Sequence, residues 1–73
     1  MKFKFTYHAS YRMFLQRNIS ADEIRSVILH PEGKFTTDQG LTKVTKQVVN
    51  GTLRVVYYIS KKKEYIIISA YYL

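Results

Sequence analysis

A histidine and two arginines near the start of the chain have side chains of the kind that act on phosphate esters. His8 is followed four residues later by Arg12, and Arg17 comes five residues after that. An imidazole titrates near neutral pH and can move a proton, while a guanidinium group stays charged and binds phosphate oxygens. Residues four apart on a helix are neighbours, so a helix here would place His8 beside Arg12. The sequence therefore predicts proton transfer beside a bound anion.

Arg17 is expected to lie apart from this pair. Residues five apart fall on different sides of an α-helix, so Arg12 and Arg17 are not expected to clamp one phosphate together. We assign Arg12 to the site because it shares a face with His8. Arg17 either contacts phosphate or binds carbonyl groups at the C-terminus of the helix. His8 has a structural alternative too, as a capping or hydrogen-bonded histidine where a strand meets a helix.

Length, charge and the lack of a long apolar run predict a small cytoplasmic domain with an anionic partner. A chain of 73 residues suits a single domain, 1–73, that buries only about 60% of its unfolded surface. Twelve Lys and Arg against five Asp and Glu give a net charge of +7, which favours nucleic acid or an acidic protein as partner, although a merely soluble basic protein would share it. The absence of cysteine predicts no disulfide, and with two histidines we predict no metal site and no cofactor. No apolar run in the sequence predicts a signal peptide or a membrane span.

A short strand and a first helix are predicted at the start of the chain. Apolar and polar residues alternate as in a strand with one buried face, the apolar ones being Phe3, Phe5 and Tyr7. The spacing then becomes helical from Ala9 to Arg17, and the apolar stripe of this helix is predicted to comprise Tyr11, Phe14 and Leu15.

The second helix is predicted from Ala21 to Leu29. Ser20 and Glu23 have the types and spacing of a capping box, in which each side chain accepts a hydrogen bond from the other residue's backbone N–H. Pro31 biases the preceding His30 out of the helix and so marks its end.

A β-hairpin is predicted around Asn50-Gly51, which separates the apolar runs Val44–Val49 and Thr52–Ile59. This dipeptide predicts a two-residue type I′ turn, and such a turn sets Gln47 opposite Arg54.

A last strand, Tyr65 to Tyr72, is predicted to follow the basic turn Ser60-Lys61-Lys62-Lys63. Pairing across that turn sets Arg54 opposite Ser69. One further short strand is expected at Phe35 to Thr37.

The predicted sheet has two different faces. One is the core floor beneath the helices, with Lys46 as its misfit, and comprises Val44, Val48, Leu53, Val55, Tyr57, Ile59, Ile66, Ile68 and Ala70. The other is basic, hydroxylated and aromatic, and comprises Lys43, Thr45, Gln47, Arg54, Tyr58, Tyr65, Ser69 and Tyr71. The pattern predicts an α+β fold with two N-terminal helices packed on one face of a mainly antiparallel sheet.

The residues of the polar face have structural alternatives. Arg54 lies mid-sheet, where it is either a phosphate anchor or an ordinary solvated strand residue. The tyrosines either stack on bases or serve as sheet formers. The lysines of the basic turn are either solvated or contact phosphate without sequence preference.

The whole chain resembles a family of small microbial domains that is itself similar to the BrnT and RelE/ParE toxins. The residues that carry the resemblance are His8, Ala9, Arg12, Met13, Arg17, Ile19, Ser20, Ile24, Pro31, Arg54, Val55 and Ile67-Ile68-Ser69-Ala70. The resemblance implies a RelE-like fold and a toxin paired with a separate antitoxin. Such toxins typically cleave RNA, whereas some relatives act on gyrase.

The resulting hypothesis is the toxin of a type II toxin–antitoxin pair, a metal-independent endoribonuclease (mRNA interferase) that acts with or without the ribosome. Arg12 and Arg54 hold phosphate, His8 moves protons, and the nucleic-acid contacts comprise Arg17, Lys43, Lys46, Gln47, Tyr58, Ser69 and Tyr71. The expected partners are RNA and an acidic antitoxin protein. The alternatives are a non-catalytic nucleic-acid-binding or regulatory module and a toxin that inhibits a protein target.

Overall fold

A computed structural model describes residues 2–73, and within this range the chain forms a five-stranded sheet and two helices. The elements are, in chain order, β1 (Phe3–Phe5), a first helix made of α1 (Tyr7–Ser10) and a π-helical segment (Tyr11–Gln16), α2 (Ala21–Leu29), β2 (Gly33–Thr36), β3 (Thr42–Val48), β4 (Gly51–Ile59) and β5 (Tyr65–Tyr72). The strand order is β1-β5-β4-β3-β2, with β1 parallel to β5 and every other neighbouring pair antiparallel. The predicted α+β class is confirmed.

The first helix starts at Tyr7, two residues earlier than predicted. Thr6 caps it, because its hydroxyl accepts a hydrogen bond from the Ala9 N–H at 3.1 Å. The helix buries Ala9 and Met13 against the sheet. The predicted apolar stripe was wrong, since three of its residues are 37–75% exposed, namely Tyr11, Phe14 and Leu15.

The second half of this helix is widened into π-helix. The Arg17 N–H donates to the Arg12 carbonyl at 2.9 Å, which closes a turn over five residues instead of four. Asn18 then takes a left-handed conformation, with φ of 53°, and ends the helix. The widened turn changes which side chains share a face, and this displaces the stripe expected for a regular α-helix.

The second helix has the predicted bounds. Ser20 Oγ accepts from the Glu23 N–H at 3.1 Å, and Glu23 Oε1 accepts from the Ser20 N–H at 3.1 Å, so the capping box is confirmed. The Tyr72 hydroxyl donates to Glu23 Oε2 at 3.3 Å, which ties α2 to the end of β5. The mismatched Lys46 of the core floor is accommodated because its Nζ donates to Ser26 Oγ of α2 at 3.1 Å.

The β3–β4 hairpin forms, but its turn differs from the prediction. Val48 pairs with Gly51, so the turn residues are Val49 and Asn50, and Gln47 faces Thr52 instead of Arg54. Neither turn residue has positive φ, so the turn is not type I′. Gly51 takes the positive φ, at 137°. The register shift is two residues, and an even shift leaves every side chain on its predicted face.

The β4–β5 pairing contains an irregularity that the sequence analysis missed. Tyr57 pairs with Ile67 but Val56 pairs with Ser69, so Ile68 is an extra residue and Arg54 faces Tyr71 instead of Ser69. The faces predicted for Tyr65, Ile66 and Ile68 were wrong as a result. Tyr65 and Ile67 lie on the core side, whereas Ile66 and Ile68 are only half-buried. Ile59, also predicted to be core, is 53% exposed at the end of β4.

Tyr57 makes the stability of this core dependent on pH. It is 3% exposed, and its ring centroid lies 5.3 Å from that of Tyr65. Burial, followed by the neighbouring Tyr65, raises the pKa of Tyr57 above its ordinary value of 10.0. The folded state therefore disfavours the phenolate of Tyr57. The contribution of the neutral Tyr57 side chain to the free energy of unfolding is complete below pH 10 and is lost as the pH rises through the raised pKa.

Chemical denaturation between pH 8 and pH 11 is expected to give a shallower alkaline decline for Tyr57→Phe than for the wild type. Tyr58→Phe is the control, since Tyr58 lies on the opposite face and is 39% exposed, and it should follow the wild-type curve. Equal alkaline declines for Tyr57→Phe and the wild type would contradict this account.

Over residues 2–73, no helix has the length and apolar character needed to cross a membrane.

Candidate functional site

A pocket lies where β1 stops covering the outer edge of β5. β1 pairs with β5 only from Tyr65 to Ile67, so beyond that point the first helix borders the edge of β5 in place of a strand. The space between them has a volume of about 230 Å³. We call it the edge pocket, and its lining comprises His8, Ala9, Arg12, Met13, Arg17, Ile68, Ser69 and Ala70.

The edge pocket is polar around an apolar floor. Ala9 and Met13 are buried and form the floor, whereas His8 and Arg12 are exposed to solvent. Its lining, within the described part of the chain, includes no carboxylate. Two guanidinium groups and an imidazole therefore have no opposite charge within the lining, and this favours binding of an anion.

Arg17 is the one of these groups that the protein itself holds in place. Its Nη1 donates to the Ala70 carbonyl at 2.8 Å, and its Cζ lies 6.0 Å from the centre of the Tyr71 ring. A single donor is used in this bond, so the other N–H groups of the guanidinium remain for a ligand. The sequence suggested carbonyl groups at the helix C-terminus as its target, but the carbonyl it binds belongs to β5.

Arg12 and Arg17 share the edge pocket, which corrects the expectation that they lie on different sides of the helix. The turn between them is π-helical, and its five-residue closure brings residues five apart onto one face. π-helical turns are rare and recur at functional sites. The sequence pattern carried no signal for this turn, so the second arginine of the pocket could not be assigned from spacing.

Arg54 lies away from the edge pocket. It is central in β4, opposite Thr45 on one side and Tyr71 on the other, on the face that the helices leave uncovered. Among residues 2–73 its guanidinium has no hydrogen-bond partner, and its Nε is buried without one. The three residues predicted to act together, His8, Arg12 and Arg54, are therefore divided between two surfaces.

We call the uncovered side of the sheet the open face. Strand register places on it Phe35, Lys43, Thr45, Gln47, Arg54, Tyr58, Ser69 and Tyr71. This confirms that Arg54, Gln47 and Ser69 share a face. One predicted member is absent from it, because Tyr65 packs on the core side against Phe3, with ring centroids 5.2 Å apart. Lys46, predicted to contact nucleic acid, lies on the core side of the sheet as predicted and faces α2.

Phe35 is the member of the open face that the sequence analysis missed. It is 51% exposed, with Lys43 Nζ 5.8 Å and Arg54 Cζ 6.0 Å from its ring centre. Its pairing with Lys43 across β2 and β3 places it on this face. The apolar run alone could not show this, because the register between β2 and β3 was needed.

Most of the chain matches one family model. The model is described as "Domain of unknown function (DUF4258)" and matches residues 5–72. The chain belongs to DUF4258. Every residue that lines the edge pocket, from His8 to Ala70, lies within the DUF4258 match. Comparison with curated proteins gave no match.

Proposed function

We propose that this DUF4258 chain is the toxin of a type II toxin–antitoxin pair and that it cleaves RNA in the edge pocket without a metal ion. The observation that carries the proposal is the meeting of His8, Arg12, Arg17 and Ser69 around one pocket open to solvent. One group of this set can move a proton near neutral pH, and two others carry fixed positive charge.

The proposed reaction is an internal transfer of the RNA phosphate. His8 accepts the proton of a ribose 2′-hydroxyl, and the 2′-oxygen attacks the adjacent phosphorus. The bond from phosphorus to the 5′-oxygen breaks, that oxygen takes a proton from solvent, and a 2′,3′-cyclic phosphate remains. Arg12 and Arg17 stabilise the negative charge that builds on the phosphate oxygens.

The proposed roles differ at two positions from those expected from the sequence. Arg17 replaces Arg54 as the second phosphate-binding arginine of the reaction, because it lines the pocket and Arg54 does not. Arg54, Lys43 and Tyr71 bind the RNA outside the reacting bond, on the open face. The similarity to the BrnT and RelE/ParE toxins is part of this proposal and supplies its link to toxin function and to a cytoplasmic site of action.

The proposed antitoxin is an acidic protein. The net charge of +7 supports electrostatic attraction to such a partner. An apolar groove of about 310 Å³ on the outer side of the first helix offers it a contact surface, lined by Tyr7, Ser10, Tyr11, Phe14 and Leu15. Copurification with the product of a neighbouring gene, lost at high salt, is the expected result, and a chain that purifies alone at low salt would count against an antitoxin.

A cleavage assay tests the proposed activity. Purified protein is incubated with RNA in the presence of a chelator, with and without ribosomes, and the expected result is cleavage in at least one of the two conditions. If RNA is cut in neither condition, yet the protein binds RNA or DNA with a steep salt dependence that Arg54→Ala reduces, the endoribonuclease proposal is wrong. The non-catalytic nucleic-acid-binding module then takes its place, and the observation that favours it is the Arg54 Nε, which is buried without a hydrogen-bond partner among residues 2–73.

A further inference from the structure

We infer that the open face is a platform for single-stranded nucleic acid, with one base stacked on Phe35 and the adjoining phosphates bound by Lys43 and Arg54. The inference rests on the proposed function only in taking RNA as the natural ligand. Single-strand binders combine exposed aromatic rings, on which bases stack, with cations that follow the backbone. The open face carries both.

The surroundings of Phe35 are the first observation that supports this platform. Its ring is half exposed although it lies on a strand, while Lys43 Nζ and Arg54 Cζ lie 5.8 Å and 6.0 Å from the ring centre. Phe35 is 51% exposed, and a planar group can stack on the accessible part of an aromatic ring. A nucleobase supplies that planar group, and the phosphates beside it supply the negative charge.

The electrostatics of the open face are the second observation. No carboxylate belongs to the described residues that define it, and two of the acidic side chains near them in sequence already have partners. Glu32 accepts a hydrogen bond from the Gln47 backbone N–H, and Glu64 pairs with Lys4 at 3.1 Å. Within residues 2–73 the Arg54 guanidinium makes no hydrogen bond. Its Nε is buried, so its two terminal amino groups are the donors that remain available to an anion.

The platform continues to the edge pocket through Tyr71. Tyr71 lies opposite Arg54 on the open face, and Arg17 of the edge pocket approaches the Tyr71 ring at 6.0 Å. Arg17 therefore passes around the outer edge of β5 and contacts both surfaces. A single strand of nucleic acid bound on the open face therefore extends to the edge pocket. A duplex does not bind in this way, because its bases are already stacked on one another.

Binding of 2′-O-methyl RNA tests the platform, because this probe lacks the 2′-hydroxyl needed for the proposed cleavage. The probe is a 2′-O-methyl poly-uridine oligomer. We expect it to bind more tightly as a single strand than as a duplex with the complementary strand. Phe35→Leu keeps an apolar side chain and should weaken single-strand binding about tenfold or more with an unchanged salt slope. Phe35→Tyr keeps the ring and should bind like the wild type. Arg54→Gln should lower the salt slope by about 0.7.

Leu29→Ala is the matched control, since Leu29 is an apolar residue 42% exposed on α2, on the helix side of the sheet, and it should leave the affinity unchanged. Thermal melting confirms that each variant is folded. Wild-type affinity in folded Phe35→Leu would overturn the platform even if RNA is cleaved. If the wild type cuts no RNA but binds the single strand, and Phe35→Leu loses this binding, the result would support the platform and reject the proposed enzyme. Binding of poly-glutamate but not of the oligomer would make the open face a protein interface and overturn the inference.

Discussion

Replacement of His8 by alanine is expected to lower the rate of RNA cleavage by about 10²–10⁴-fold, the usual contribution of a general acid or base. His8 is exposed at the mouth of the edge pocket and forms none of its buried floor. The variant should therefore fold normally and bind RNA almost as tightly as the wild type. Single-turnover rates measured at saturating RNA, with affinity measured separately, check both parts of this expectation.

His30→Ala is the matched control for His8→Ala. His30 is the second histidine of the chain, is exposed, and caps the C-terminal end of α2 away from the pocket lining. It should leave the cleavage rate unchanged. Equal rates for His8→Ala and His30→Ala would remove the proton-transfer role of His8.

Replacement of either pocket arginine by glutamine is expected to lower the cleavage rate by about 10²–10³-fold, since each stabilises charge that builds at the phosphate. The two variants should differ in stability. Arg17→Gln also loses its hydrogen bond to the Ala70 carbonyl and should unfold more easily by about 0.5–1.5 kcal/mol, whereas exposed Arg12 should be replaced without such a cost.

Arg25→Gln is the matched control for the two pocket variants, because it removes a positive charge outside the pocket. Arg25 is an exposed residue of α2 whose guanidinium lies 5.3 Å from the Phe3 ring, outside the pocket lining. Its cleavage rate should match the wild type. If Arg17→Gln lowers the melting temperature but leaves the rate unchanged, Arg17 only fastens the edge of β5 and the pocket holds one arginine of the reaction.

The local chemistry of the sequence predicted the fold class and the second helix. Ser20 and Glu23 interact within one turn, and Pro31 acts on its own neighbour, so no distant contact was needed to place α2. The open face was predicted for a related reason. Side chains alternate strictly along a strand, so a register error of two residues in the β3–β4 hairpin moved none of them to the other side.

The edge pocket could not be predicted in full because its geometry depends on two irregularities. The π-helical turn brings Arg12 and Arg17 together, and the extra residue at Ile68 reverses the faces of β5 on either side of it. Each adds one residue to a regular repeat. Such an insertion is favoured by packing between distant parts of the chain, and a sequence pattern that assumes a constant repeat does not reveal it. The first helix and β5 are the two walls of the pocket.

The chemical identity of the RNA ends tests the central claim most directly. Transfer of the phosphate to the 2′-oxygen, assisted by His8 and the two arginines, leaves one product with a 2′,3′-cyclic phosphate or the 3′-phosphate formed from it, and the other with a 5′-hydroxyl. Mass spectrometry of the products made in chelator is expected to find these ends. Products that carry a 3′-hydroxyl and a 5′-phosphate would contradict the account, because the 2′-hydroxyl would then not be the nucleophile.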